Sequence, residues 1–117
     1  SAYRSREVNG FGNRMQRDGK AGYTCASDEA NAARHIWDML DVNGQMGAMA
    51  CVVLPSFYDL HQQPGDWQIL ARWIDEHLPY STLWFYPTYW AVNVGWHEKP
   101  ERRIDSYAEP KGRWQPD

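Results

Sequence analysis

The sequence predicts an α+β fold: a two-layer sandwich, with a mixed, mainly antiparallel sheet of about four strands and two helices on one face. Three observations lead there. The chain has 117 residues and carries seven Trp, seven Tyr and three Phe, enough large rings for one core without disulfides or metals. Two segments repeat their apolar residues at helical spacing. Residues 89–97, "YWAVNVGWH", alternate with period two, the mark of a strand with one covered face.

In chain order, residues 1–23 come first. They hold Gly10, Gly12, Gly19 and Gly22 with scattered charges, and read as an irregular N-terminal arm preceding a single α+β domain over 24–117. The first helix is expected after Ser27, a good N-cap, with Asp28 and Glu29 at the positive end of the helix dipole. Ala33, Ile36, Trp37 and Leu40 would form its buried stripe, and Asn43-Gly44 would end it. His35 borders that stripe. Residues 48–54, "AMACVVL", lack polar alternation and predict a central strand covered on both faces, with Cys51 a small buried hydrophobe. Pro55 ends it. Residues 56–66, "SFYDLHQQPGD", read as a long loop, of a length that is often functional. Phe57, Tyr58 and His61 are its candidate contact residues. The second helix, from an Asp66 N-cap to the stop at Pro79, carries the stripe Trp67, Leu70, Ala71, Ile74 and Leu78. Trp73 falls off it.

The remaining elements are strands. Residues 81–86, "STLWFY", have strand propensity. Together with 48–54 and the intervening helix they suggest a right-handed parallel crossover. In 89–97, Trp90, Val92, Val94 and Trp96 should face the core. "EKPE" would then turn the chain into a last strand over 102–107. Ile104 must share the core face with Val94, which pairs Ile104 with Val94 and Tyr107 with Ala91 as a hairpin. The reverse face then carries Tyr89, Asn93, His97, Arg103, Asp105 and Tyr107.

Charge is uneven. Residues 1–20 hold five basic against two acidic side chains, a net of +3, residues 21–97 two against eight, a net of −6, and the last twenty balance. That pattern disfavours a general nucleic-acid binder. Acids around Arg102 and Arg103 also oppose base stacking on Trp84, Tyr89 and Tyr107. No apolar window approaches a membrane span, and no leader is evident, so the expected location is cytoplasmic. The four histidines lack ligand spacing and no CxxC, phosphate loop or GxGxxG occurs, so no metal and no cofactor are expected.

Two function classes follow. The first is a non-catalytic binding or oligomerising module, expected as a homodimer or with a protein partner, using the open sheet face through Tyr89, Asn93 and Tyr107 together with the N-terminal arm. A variant of it places a small ligand near Phe57, Tyr58 and His61. The second is a small hydrolase-like enzyme with His97 as base, Asp105 orienting it and Arg103 holding an anion.

Overall fold

The computed structural model describes residues 2–23 and 25–116. The fold is α+β. Its helices are α1 (Arg6–Arg17), α2 (Asp28–Asn31), α3 (Pro55–Leu60) and α4 (Trp67–His77). Its strands are β1 (Gly47–Val52), β2 (Thr82–Phe85), β3 (Val92–His97), β4 (Arg103–Ser106) and β5 (Gly112–Trp114), with a short 3-10 turn at Thr88–Trp90. The five strands form one mixed sheet in the order β1-β3-β2-β4-β5. Two compact units divide between Ala50 and Cys51, inside β1.

In the second unit, β2 is the strand around which the sheet is built. It pairs antiparallel with β3 through Leu83–Val94 and parallel with β4 through Leu83–Ile104. The expected β3–β4 hairpin therefore does not form. Val94 and Ile104 do share one row, but Leu83 of β2 stands between them, and Tyr86, just after β2, stands in the same way between Ala91 and Tyr107. The link over 98–102 instead carries the chain past the start of β2. Ser81 anchors it: its N–H donates to the Gly95 carbonyl (2.7 Å), its carbonyl accepts from Arg103 N (2.9 Å) and its hydroxyl from Glu101 N (3.2 Å). β1 is an edge strand beside β3, so its expected central position is not observed. Cys51 is accordingly exposed rather than buried.

One sheet face is covered. Trp67, Leu70, Ala71 and Ile74 of α4 pack with Leu83, Phe85, Val92, Ile104, Tyr80 and Ala108, and Phe57 and Tyr58 of α3 close one side. The amphipathic stripe read from the sequence thus holds, except that Leu78 is exposed. Leu78 is extended, as a residue before proline must be, and leaves the helix there. Asp66 caps the preceding turn through Gln63 N (3.0 Å) rather than α4 itself. Trp114 of β5 lies edge-on to Trp67 and joins the core. Of the two tryptophans assigned to the core face of 89–97, Trp90 is buried but Trp96 is 48% exposed. The period-two pattern starts too early: Tyr89 and Trp90 have φ of 54° and 50°, so they form a left-handed turn and the strand begins at Val92.

The first unit departs most from expectation. The segment expected to be irregular contains α1, capped by Ser5 Oγ accepting from Val8 N (3.2 Å), with Glu7 in its first turn and Arg14 and Arg17 in its last. The helix expected over 28–43 stops after one turn. Ser27 does cap it, accepting from Ala30 N (3.2 Å), but Ala33 adopts φ 57° and the chain folds back so that Ala33 N reaches Met39 O (2.8 Å). Ala33 and Ile36 are buried, whereas Trp37 and Leu40 are exposed. Asp41 Oδ1 accepts from Asn43 N and Gln45 N, both 2.9 Å, fixing the turn at Gly44.

Candidate functional site

The face of the sheet opposite α4 holds the side chains that alternate with the core. Along β2 and the residue that follows it these are Thr82, Trp84 and Tyr86. Cα pairing places Asn93 and Asp105 on either side of Trp84, and Arg113 of β5 beyond Asp105. Tyr107 follows β4, its N–H bonded to Phe85 O (2.8 Å). Its ring tilts against both Trp84 and Tyr86, with centroids 5.3 Å away in each case. The result is a three-ring cluster, and Tyr107 at its centre is 51% exposed.

Polar groups surround the rings. Asn93 Nδ2 donates to the Tyr86 hydroxyl (3.2 Å). Burial raises the Tyr86 pKa above its ordinary value, and the neighbouring Tyr107 and Cys51 add to the rise. Asp105 accepts from Arg103 Nε at 2.8 Å on one carboxylate oxygen and from Arg113 Nε at 3.1 Å on the other. Burial opposes the charge on Asp105, but the two guanidinium bonds prevail and hold its carboxyl below the usual carboxylate range. Glu101 lies 3.9 Å from Arg103. Two arginines and two carboxylates leave this corner electrically neutral. One group stands apart: Trp84 Nε1 is covered and has no acceptor among the described residues, an unusual state for a buried donor.

The sequence-derived residues divide three ways. Asn93, Arg103, Asp105 and Tyr107 come together on this face. The catalytic set does not assemble. Asn93 and Asp105 share one row with Trp84 between them, and His97 lies four residues further along β3, so His97 and Asp105 are offset by ~13 Å along the strands and ~10 Å across them, about 16 Å in all. Both Asp105 oxygens are taken by arginines, and His97 Nδ1 accepts from Lys99 N (3.1 Å). A base needs its orienting group within hydrogen-bond reach, and Asp105 does not provide it. Phe57, Tyr58, His61 and Tyr89 form a separate group. Residues 55–60 are helix α3, not loop. Phe57 stacks on His61 at 4.4 Å, Tyr58 meets Tyr89 and Trp90 edge-on, and Trp90 Nε1 donates to His61 O. These rings are engaged in holding α3 against the turn at Thr88–Trp90.

Sequence reasoning left Trp84, Tyr86 and Arg113 out of the binding set. The signal for two of them was present, since "TLWF" alternates in the same way as β3. Arg113 gave none, because β5 is three residues long.

The first unit contains a polar cluster that the sequence did not reveal. Asn9 of α1 is fully buried, and its Oδ1 accepts from Asn31 Nδ2 (2.8 Å), Cys25 Sγ (2.9 Å) and Arg4 (3.2 Å). Its Nδ2 donates to Asp28 Oδ1 (2.7 Å) and Ala26 O (3.1 Å). Gly12 allows the approach, because a Cβ there would sit 3.2 Å from Cys25 Sγ. These bonds tie α1 to residues 25–31.

Among the described residues no group of three His, Cys, Asp or Glu is placed to hold a metal ion, and no helix is long and apolar enough to cross a membrane. Compared with known proteins, the chain matches no family model, no curated sequence and no solved structure.

Proposed function

We propose that the protein is a non-catalytic binding module whose contact surface is the ring cluster Trp84, Tyr86 and Tyr107 with Asn93, Arg103 and Arg113 around it. The observation that carries this is the ring cluster itself: Trp84 and Tyr86 each in contact with Tyr107 on the sheet face opposite α4, with Tyr107 51% exposed. Aromatic and arginine side chains are also the groups enriched in contact surfaces. A protein partner or a second copy of this chain fits the reading, and the homodimer is the form to look for first.

The test is mapping by NMR with a mixture of small organic probes, alongside solution mass by light scattering. Probe-induced shifts should concentrate on the Trp84 indole and on Tyr86, Tyr107 and Asn93. Shifts concentrated on Phe57, His61 and α3 would overturn the proposal. If the protein is a dimer through this face, Tyr107→Ala should convert it to monomer.

A further inference from the structure

We propose that a second copy of this chain docks on the first unit, through a self-complementary face formed by α1 and residues 37–42. The inference goes beyond the contact surface proposed above, which lies on the second unit, and does not depend on it. α1 packs by its polar groups and turns apolar ones outward. Asn9 is buried among hydrogen bonds, whereas Val8 and Phe11 are exposed, and Tyr23 lies edge-on to Phe11. Arg14 and Arg17 follow on the same helix and are exposed. Among the described residues neither they nor Arg6 and Lys20 make an ion pair, whereas Arg102, Arg103, Lys111 and Arg113 of the second unit each have a carboxylate. Exposed apolar groups beside unpaired cations mark contact surfaces.

Residues 37–42 carry the opposite charge beside exposed apolar groups of their own. Trp37, Leu40 and Val42 are exposed, and Asp38 and Asp41 alternate with them in sequence. Over 14–20 three basic side chains stand against one acidic, a net of +2, and over 37–44 two acids and no base give −2. Tyr3 joins the two regions. Its ring tilts against Trp37 at 5.5 Å, its hydroxyl lies beside Asp38, and Glu7 and Arg6 of the first turn of α1 are close by. α1 then carries Arg17 ~16 Å beyond Arg6. The face thus has an acidic, apolar end at Tyr3 and Trp37 and a basic, apolar end at the close of α1. A two-fold axis between the ends sets each against its opposite on the partner, twice over. Other occupants fit one end only. An anionic membrane or a nucleic acid would take the arginines and be repelled by Asp38 and Asp41. A basic peptide would meet the reverse. The chain itself carries both ends, and matched charges of this kind fix register and exclude wrong partners.

The experiment measures solution mass by sedimentation on the full chain. A dimer is expected, its Kd rising about tenfold or more between ~50 mM and ~500 mM salt. One variant carries Arg14→Glu and Arg17→Glu, and a second carries Asp38→Lys. Each alone sets like charges together and should weaken the dimer about tenfold or more. Mixed in equal amounts the two should associate again, because every end then meets its opposite. Circular dichroism reports whether each variant remains folded, and Tyr107→Ala should leave the dimer intact. The proposal is overturned by a monomer at every salt concentration, by charge variants that dimerise like the parent, or by folded variants that fail to associate on mixing. If Tyr107→Ala dissolves the dimer and the charge variants do not, self-association belongs to the ring cluster: the contact-surface reading stands and this one falls. It falls too if the chain stays monomeric and binds vesicles of phosphatidylserine and phosphatidylcholine.

Discussion

Tyr80 is almost fully buried, donates its hydroxyl to Asp75 Oδ1 at 2.6 Å and lies under the Arg102 guanidinium, 4.3 Å from the ring centroid. Burial, then the bond to Asp75, pushes its pKa up to about 12. An unfolded tyrosine ionises near pH 10. The folded state therefore holds the proton more tightly, and its stability is complete below about pH 10 and falls as the pH rises from there towards 12. Tyr80→Phe should cost about 1 kcal/mol at pH 7 in urea unfolding and flatten that alkaline loss. His35 acts in the opposite direction. It is buried, its Nδ1 bonds to Ala2 O at 2.8 Å, and its pKa is lowered by burial, with Arg4 and Arg34 adding repulsion. The unfolded histidine takes up a proton more readily, so stability should be lost as pH falls below about 6.5. Amide exchange at Ile36, corrected for intrinsic rate, should show weaker protection at pH 5.5 than at 7.5. In His35→Gln that difference should shrink.

Among the elements, β2 carries the most. It is the only strand hydrogen-bonded to both β3 and β4, and Leu83 and Phe85 are fully buried between it and α4. Leu83→Ala should lower stability by about 2–5 kcal/mol, whereas Trp96→Ala on the exposed part of β3 should change it by about 0.5 kcal/mol or less; chemical denaturation compares the two. The same strand shows how far the sequence could be read. Ile104 had to face the core with Val94, and it does. That argument sets which face a residue takes, but not which strand is its neighbour. A hairpin between successive strands was the default, and nothing in "EKPE" reveals that the link runs around the start of β2. The helices divide similarly. α4 was legible because its stripe is apolar and continuous. α1 was not, because its buried position is Asn9 and it contains two glycines. The run from Ala33 to Leu40 has helical spacing, yet the buried bonds of Asn31 and the turn at Asp41 draw the chain back on itself. Local periodicity loses to polar contacts from distant residues.

For the whole molecule, the two units differ in how they are held. The second has a ring-rich core closed by α4. The first buries Ala32, Ala33 and Ile36 beside the hydrogen bonds around Asn9. Exposed hydrogen bonds and few apolar contacts mark regions that open first. Amides of Leu83, Phe85 and Ile104 should therefore exchange more slowly than those of Asn31 and Ile36 by two orders of magnitude or more. Equal rates would show one cooperative unit. The candidate face was half legible at this scale. Alternation located Asn93, Asp105 and Tyr107, while Trp84 entered only once β2 stood between the two strands that carry them.

The position of β2 also bears on how the chain is made. Its partners β3 and β4 both follow it in sequence. As the ribosome delivers the chain, "TLWF" emerges with two bare edges and two large rings, and waits until residue 106 has left the tunnel before both edges are closed. A bare apolar strand is a template for its like on neighbouring nascent chains. Polysomes crowded on one message would bring such strands together at their most adhesive moment. A chain released prematurely, ending between Phe85 and Ser106, should then aggregate, where one that runs on past Trp114 folds.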